Sequence, residues 1–405
     1  MSTGKIRIAL YSPGTVGLGH LRRNLLIAQV LAESGLQSNT LLLTEAREAS
    51  AFVNAMPPGT DCLTLPGISK GPDGVCKPRN LDLPLKEVIS LRAKTIRASL
   101  KQFDPDLFIV DNLPRGAYRE LDPALKQLKA VGRTRCVLGL RDVLDDPWAM
   151  HEAWFRWRNE EAIKDYYDAI WVYGDPAIYN MVEEYRFPES IASKVHFVGY
   201  LDQRKRMTFA TPDGFDLLQS LSLPKGRLML CLVGGGQDGE RLAEAFSEAQ
   251  LPGDSCGVII AGPFMPAPVY HHLCECAAQD ESRLRVLRFI NEPTTFLSRA
   301  DRVVTMGGYN TVCEVLSFRK RALIVPRVGP RREQSIRAER LKNLGLVDTL
   351  EAEDLTAEAV SQWLARDLPP LEIEGRVNFD GLDRLQALVQ EVLALRRDAS
   401  PASMT

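Results

Sequence analysis

Short runs rich in Val, Ile and Leu recur at positions 6–11, 40–44, 107–111, 136–141, 170–173 and 195–198. They return at 228–233, 257–261, 284–290, 302–306 and 322–325, with amphipathic stretches of helical period between them. A strand that is apolar at nearly every position is buried on both faces, which requires a sheet covered by helices on both sides. Strands alternating with helices are joined by crossovers, so the predicted class is α/β with doubly wound parallel sheets. At 405 residues the chain exceeds one ordinary core and suits two domains.

The rhythm breaks after Tyr200. The stretch LDQRKRMTFATPDGFDLLQSLSLP is charged, holds two prolines and precedes a fresh strand. The expected division is therefore a first domain over 1–203, a linker over 204–224 and a second domain over 225–370. Over 371–405 a terminal helix is expected, with Leu382, Leu385, Leu388, Val389, Val392 and Leu393 at helical spacing, returning to the first domain. The last residues, from Asp398, are expected to fray.

Fifty Lys and Arg against fifty-two Asp and Glu leave a formal charge of −2. No bulk attraction to nucleic acid or anionic lipid is built in, and nucleic acid is not an expected partner. No apolar run approaches the roughly 20 residues that span a bilayer. The start, MSTGKIRIALYSPG, lacks the longer apolar region and small-residue cleavage site of a secretory signal. Eight cysteines are scattered through strands and helices, not spaced as a disulfide framework. The expectation is a cytoplasmic protein.

The first strand feeds a loop carrying Gly14, Gly17 and Gly19, and His20 opens the helix beyond it. A dinucleotide fingerprint fails, because the third glycine would fall on Arg22, and no Gly-Lys-Ser/Thr follows to make a Walker loop. The distinctive residue is His20. Its unperturbed pKa lies close to working pH, which suits a general base, while the bland alternative is a helix cap. In the second half, Gly234-Gly235-Gly236-Gln237 and Gly307-Gly308-Tyr309-Asn310-Thr311 each follow a strand. Carboxyl ends of parallel strands are where open α/β sheets bind ligands. The helix start after Gly308 suits a diphosphate, with Thr311 as a hydroxyl donor and Glu314 one turn in to accept from a ribose diol. Glu333 and Gln334, past a further strand, have the paired groups that read sugar hydroxyls.

These stretches resemble the GT-B nucleotide-sugar glycosyltransferases, and more narrowly glycosyltransferase family 28, whose best-known member makes the peptidoglycan lipid intermediate. The resemblance rests on Gly17-Leu18-Gly19-His20, on Gly234 to Gln237, and above all on the run from Ala300 to Glu314 continuing to Glu333-Gln334. It is strongest over 225–350, and nearest to uncharacterised relatives of that family. It implies a GT-B fold, two Rossmann-like domains facing across a cleft. Phe289 and Ile290 would sit by the uracil, and Glu314 would hold the ribose. Gly235, Gly236 and Gln237, with Gly307, Gly308, Asn310 and Thr311, would cradle the diphosphate. Glu333 and Gln334 would read the sugar, and His20 would lie near the acceptor hydroxyl. Two positions depart from the pattern: Leu18 replaces a glycine before His20, and Arg337 stands where an Asn is expected. With Arg327, Arg331 and Arg332 nearby, an acidic or modified sugar is as compatible as N-acetylglucosamine.

Asp111 and the group Asp142, Asp145 and Asp146 all follow strands, and either set can orient His20; the order of residues does not choose between them. The aromatic run Trp148, Trp154, Phe155, Trp157, Tyr166 and Tyr167 reads as the buried face of a helix, the alternatives being an acceptor groove or a membrane-surface contact. His272 and Cys276 share a helix face, but zinc draws its ligands from two separated pairs and no second pair follows, so no metal is expected.

The resulting reading is an inverting, metal-independent hexosyltransferase using a UDP-sugar, with no further cofactor. The acceptor would be a glycolipid, polysaccharide precursor or small molecule, and peripheral contact with the inner face of a membrane is compatible with it. The alternatives are a UDP-sugar hydrolase of the pseudaminic-acid-pathway type, whose Gly-x-Gly-His-x-x-Arg stretch is close to Gly17 to Arg23, and a non-catalytic nucleotide-sugar-binding subunit.

Overall fold

The computed structural model describes residues 5–13, 19–46, 52, 55–70, 75–209, 213–279 and 283–394. The chain forms two compact units. The first takes the chain up to Pro176, Asn180–Leu201 and the segment from Asp380; the second takes Ala177–Tyr179 and Asp202–Phe379.

In the first unit, strands β1 (Ile6–Ser12), β2 (Ser38–Thr44) and β3 (Thr60–Thr64) lead to a small antiparallel hairpin, β4 (Ile68–Lys70) and β5 (Cys76–Pro78). Then come β6 (Leu107–Asp111), β7 (Arg135–Arg141), β8 (Ala169–Tyr173) and β9 (Val195–Phe197). Seven of these make one parallel sheet in the order β3-β2-β1-β6-β7-β8-β9. Every residue of β6 and β8 is buried, as their unbroken apolar runs require. β3 reads TDCLT and is half-exposed, so it carries no apolar run to announce it.

The second sheet contains β10 (Arg227–Leu232), β11 (Ser255–Ile260), β12 (Leu284–Leu287), β13 (Arg302–Thr305), β14 (Arg321–Ile324) and β15 (Asp348–Thr349). All are parallel, in the order β12-β11-β10-β13-β14-β15. Side chains alternate between faces along a strand. Met229, Cys231, Ile259, Val304 and Leu323 accordingly share one face and pack with Phe246, Leu273 and Trp363 from covering helices. Leu228, Leu230, Val258, Val303 and Ala322, one residue out of step, are buried on the other.

The stretch 204–224 belongs to the second unit, where it contains helices Arg206–Phe209 and Asp213–Ser220, and Arg206 is buried. Charge in a sequence marks solvent only when the charge is unpaired, and Arg206 is paired twice. The aromatic run divides between two environments, which corrects the expectation of a buried face. On helix Pro147–Trp157, Met150 and Trp154 lie four apart and are buried, with Trp154 stacked on Phe187 at 5.1 Å. Trp148 and Phe155, seven apart, share the opposite side and are 73% and 87% exposed. Among the described residues no helix is long and apolar enough to cross a membrane, and the eight cysteines are free.

Helix Gly381–Ala394 packs in the first unit against helix Gly19–Glu33. Asp380 bridges to Leu201, and Arg384 donates to the Phe197 carbonyl at 2.9 Å. A Cβ on Gly381 would stand 2.7 Å from the carbonyl oxygens of both Gly199 and Tyr200. Neither backbone oxygen can swing away as a side chain would. Gly381→Ala is therefore expected to cost about 1–3 kcal/mol of unfolding free energy, read by urea denaturation; unchanged stability would show that this contact relaxes freely.

Candidate active site

A ligand crevice in an open parallel sheet lies where the strand order reverses, because loops leaving the two central strands there run to opposite faces. In the first unit that point falls between β1 and β6. His20 opens the helix after β1, and Asp111 ends β6. The Asp111 carboxylate is 2.8 Å from His20 Nδ1. Arg23, one turn along the same helix, donates through Nη2 to both Asp111 oxygens, at 2.5 and 2.7 Å. Asp111 and Arg23 are almost wholly buried, while the His20 side chain is 20% exposed.

Burial alone would raise the Asp111 carboxyl; the Arg23 guanidinium and His20 outweigh it and hold the group at about 2. Asp111 is thus an ionised acceptor at any working pH. Arg23 Nη2, itself a donor, lies 3.0 Å from His20 Nδ1, but the ionised carboxylate is closer at 2.8 Å and favours the proton on Nδ1, the tautomer that leaves Nε2 unprotonated in the neutral ring. Burial lowers the His20 pKa from its ordinary 6.5, and Asp111 opposes that only in part. The ring is neutral and oriented at neutral pH, the state a general base requires.

The other acidic candidates are occupied elsewhere. Asp142 accepts from the Tyr200 hydroxyl at 2.9 Å, and Asp146 caps helix Pro147–Trp157 by accepting from the Trp148 and Ala149 amides. Gly19 begins the helix of His20; Gly14 and Gly17 lie outside the described residues.

In the second unit the order reverses between β10 and β13, and both glycine loops leave from that gap. Gly236 has φ +88°, and a Cβ there would strike the Ala261 carbonyl oxygen. The Gly235 carbonyl accepts from Phe264 at 2.9 Å, and Arg288 donates to the Met265 carbonyl at 3.2 Å. The loops after β10 and β11 are thereby tied backbone to backbone, and the Arg288 side chain ties the loop after β12 to them. Phe289, half-buried, and Ile290, buried, stand in the last of these, two strands away from β10. Across the gap Gly307 has φ +81°, and Gly308 is the cap of helix Tyr309–Ser317 without a side-chain hydrogen bond. A Cβ on Gly308 would meet nothing within 4 Å, so space lies open over the helix start that carries Asn310 and Thr311.

Arginines, two buried and one half-buried, set this second site. Arg206 reaches Glu314 at 2.6 Å and Glu292 at 2.9 Å. Arg327 donates to Glu333 at 2.6 Å and to Asp238, next to Gln237, at 3.0 Å, while its amide donates to the Gln334 side-chain carbonyl at 3.1 Å. Glu333 keeps its other oxygen, Oε2, buried without a hydrogen-bond partner among the described residues. Arg337 is buried, donates to the Gly307 carbonyl at 3.1 Å and lies over the Tyr309 ring. A cavity of about 430 Å³ opens beside these loops, between Gln237 and Arg241 on one side and Pro326 and Arg327 on the other.

Arg23 entered the sequence reading only as the end of the Gly17 to Arg23 stretch; its place one turn from His20 was the signal that could have found it. Arg206, Arg327 and Arg337 had no such signal as partners of these carboxylates and carbonyls. His272 Nε2 and Cys276 Sγ lie 3.7 Å apart, and no group of three potential metal ligands is gathered among the described residues. Replacing Arg206 with Ala would leave Glu314 and Glu292 without their buried counter-charge. The expected cost is about 3–5 kcal/mol in chemical denaturation; a loss below 1 kcal/mol would show the pair to be solvated.

Solved structures with the same fold include UGT73P12 of Glycyrrhiza uralensis, complexed with glycyrrhetinic acid 3-O-monoglucuronide (12% identity, TM-score 0.65, 98% of this chain and 97% of that one). A Listeria monocytogenes protein described as a UDP-N-acetylglucosamine 2-epimerase aligns at 14% identity and TM-score 0.58 over 97% of this chain and 98% of its own. MurG of Acinetobacter baumannii aligns at 16% identity and TM-score 0.50 over 98% and 96%. No curated protein matches the sequence. The fold is GT-B, and residues 258–372 match the glycosyltransferase family 28 C-terminal domain.

Proposed function

We propose that the chain is an inverting glycosyltransferase that moves a sugar from a UDP-sugar to an acceptor hydroxyl. The observation that carries this reading is the His20–Asp111–Arg23 constellation at the switch point of the first sheet. A ring held neutral, with Nδ1 committed to an ionised carboxylate, has Nε2 available to take an acceptor proton. As the hydroxyl oxygen attacks the anomeric carbon, the bond to UDP breaks and the new glycosidic bond forms on the opposite face. Asp111 stabilises the imidazolium that results.

The second unit supplies the donor side. The glycine loop after β10 and the helix start after Gly308 offer backbone donors and a positive dipole end to the departing diphosphate, which is how charge on a leaving group is met without a metal. Glu314, fixed by Arg206, keeps a carboxylate close to that helix start for a ribose diol. Glu333 Oε2, buried and unsatisfied, is an acceptor suited to a sugar hydroxyl. The match to the family 28 C-terminal domain falls on the unit that holds these loops.

The test is UDP release from a panel of UDP-sugars, with and without acceptors. Release only with acceptor supports transfer; release with water alone replaces it with the hydrolase; tight UDP binding without turnover replaces it with a binding subunit. His20→Ala is expected to reduce turnover by about 10²–10⁴-fold, with UDP affinity nearly unchanged. Activity that survives removes His20 as the base.

The pH dependence has a definite sign. His20 must be neutral, and its pKa lies below 6.5. Turnover should be full near pH 7 and fall as pH drops through a midpoint below 6.5. Initial rates across pH 4.5–8 (about this range, set by the reference histidine value) read that midpoint. An acid limb centred above 6.5 contradicts the arrangement.

A further inference from the structure

The loop leaving β6 beyond Asp111 encloses an apolar pocket in the first unit. Leu113 turns its amide back onto the Asp111 carbonyl at 2.9 Å, and Gly116 does the same to Leu113 at 2.9 Å. A cavity of about 170 Å³ follows, lined by Leu113, Pro114, Ala117, Tyr118 and Trp157 among others. Tyr118 and Trp157 are 40% and 39% exposed and meet edge to face, with centroids 6.1 Å apart and planes at 88°.

This loop is held in a shape it would not choose. Tyr118 and Arg119 have φ +50° and +65°, which costs side-chain-bearing residues on the order of 1 kcal/mol each. Fixed partners surround it. The Tyr167 hydroxyl donates to the Pro114 carbonyl at 2.5 Å, and Arg115 donates to Asp122 at 2.5 and 2.8 Å and to the Trp157 carbonyl at 3.0 Å. Ala117 donates to the Tyr11 hydroxyl at 3.2 Å. The pocket is thus built in advance, and Tyr118 and Trp157 are presented where a folding core would have covered them.

We infer that this pocket receives a planar aromatic ring of the acceptor, so that the acceptor class is a phenol or aryl alcohol. An apolar void of about 150 Å³ holds one benzene-sized ring, and the lining offers faces and edges that suit another ring. A long acyl or prenyl chain would need an extended groove instead. Leu113 is two residues from Asp111, so their Cα atoms lie within about 7 Å, on the same edge of the sheet as His20. The fate of the hydroxyl rests on the transferase reading above; occupation of the pocket does not.

The experiment separates the two. Binding of 4-fluorophenol to the full chain is followed by ¹⁹F NMR, with thermal melts to confirm folding. Wild type should bind in the millimolar range. Trp157→Ala and Tyr118→Ala should each bind about tenfold more weakly, since each removes an aromatic contact and buried apolar area. Trp157→Phe should recover part of the loss. Phe155→Ala, on the same helix but outside the pocket, should bind as wild type does.

Absence of wild-type binding, undiminished binding in the alanine variants, or an equal loss in Phe155→Ala each overturns the inference. UDP-sugar turnover is measured separately. Its absence while the binding pattern holds refutes the transferase reading and leaves the pocket standing; turnover without phenol binding does the reverse.

Discussion

A parallel sheet whose strand order reverses at one gap sends its loops to opposite faces there, and that constraint places His20, Asp111 and both glycine loops. In the first unit the gap between β1 and β6 brings His20 to Asp111. In the second, the gap between β10 and β13 receives both glycine loops. Residues 91 positions apart become hydrogen-bonded neighbours because β1 and β6 pair, and no local propensity could achieve it.

Within that frame, buried guanidinium groups do most of the positioning. Arg23 keeps Asp111 ionised against the cost of burial, and so fixes the tautomer of His20. Arg92, fully buried, joins Glu45, Glu120 and the Pro66 carbonyl, and Glu120 in turn accepts from Tyr11 at 2.6 Å. That cluster braces the loop bearing Tyr118, since the Tyr11 hydroxyl also accepts from Ala117. A planar fork with several donors can tie two carboxylates or a carbonyl at once, which an ammonium does less well. Such pairs are expensive to desolvate and costly to break singly, so they act as geometric pins more than as sources of net stability.

How much of this was legible in the sequence follows from burial. Central strands such as β6 and β8 are apolar at each position and were visible as runs. The edge strand β3 and the two-residue β15 were not, because an exposed edge needs no apolar pattern. His20 stood out through its glycine loop, but its partner did not. Asp111 and Asp142 both follow strands, and only the sheet order shows that β6 adjoins β1 while β7 lies one strand further out. Arg206 was read as linker charge; its partner Glu314 is 108 residues away, and a pair so separated leaves no mark in composition. The aromatic helix was misread because ring content was weighed before the angular position of each ring, which sets Trp154 inward and Phe155 outward.

The arginine excess near the expected sugar site changes meaning for the same reason. Counted along the chain, Arg327 and Arg337 suggest positive charge waiting for an anionic sugar. In the fold Arg327 is matched by Asp238 and Glu333, and Arg337 is turned onto the Gly307 carbonyl and the Tyr309 ring. A guanidinium whose carboxylate partner lies within 3.0 Å has little field left for a ligand's charge. These two arginines hold the loops after β10, β13 and β14 in register with one another. The group they leave unsatisfied is an acceptor, Glu333 Oε2, which favours a hydroxyl donor and opposes a sugar carboxylate at that point. What the fold shows at this point is therefore an acceptor oxygen on Glu333, with Arg327 and Arg337 already engaged by protein groups.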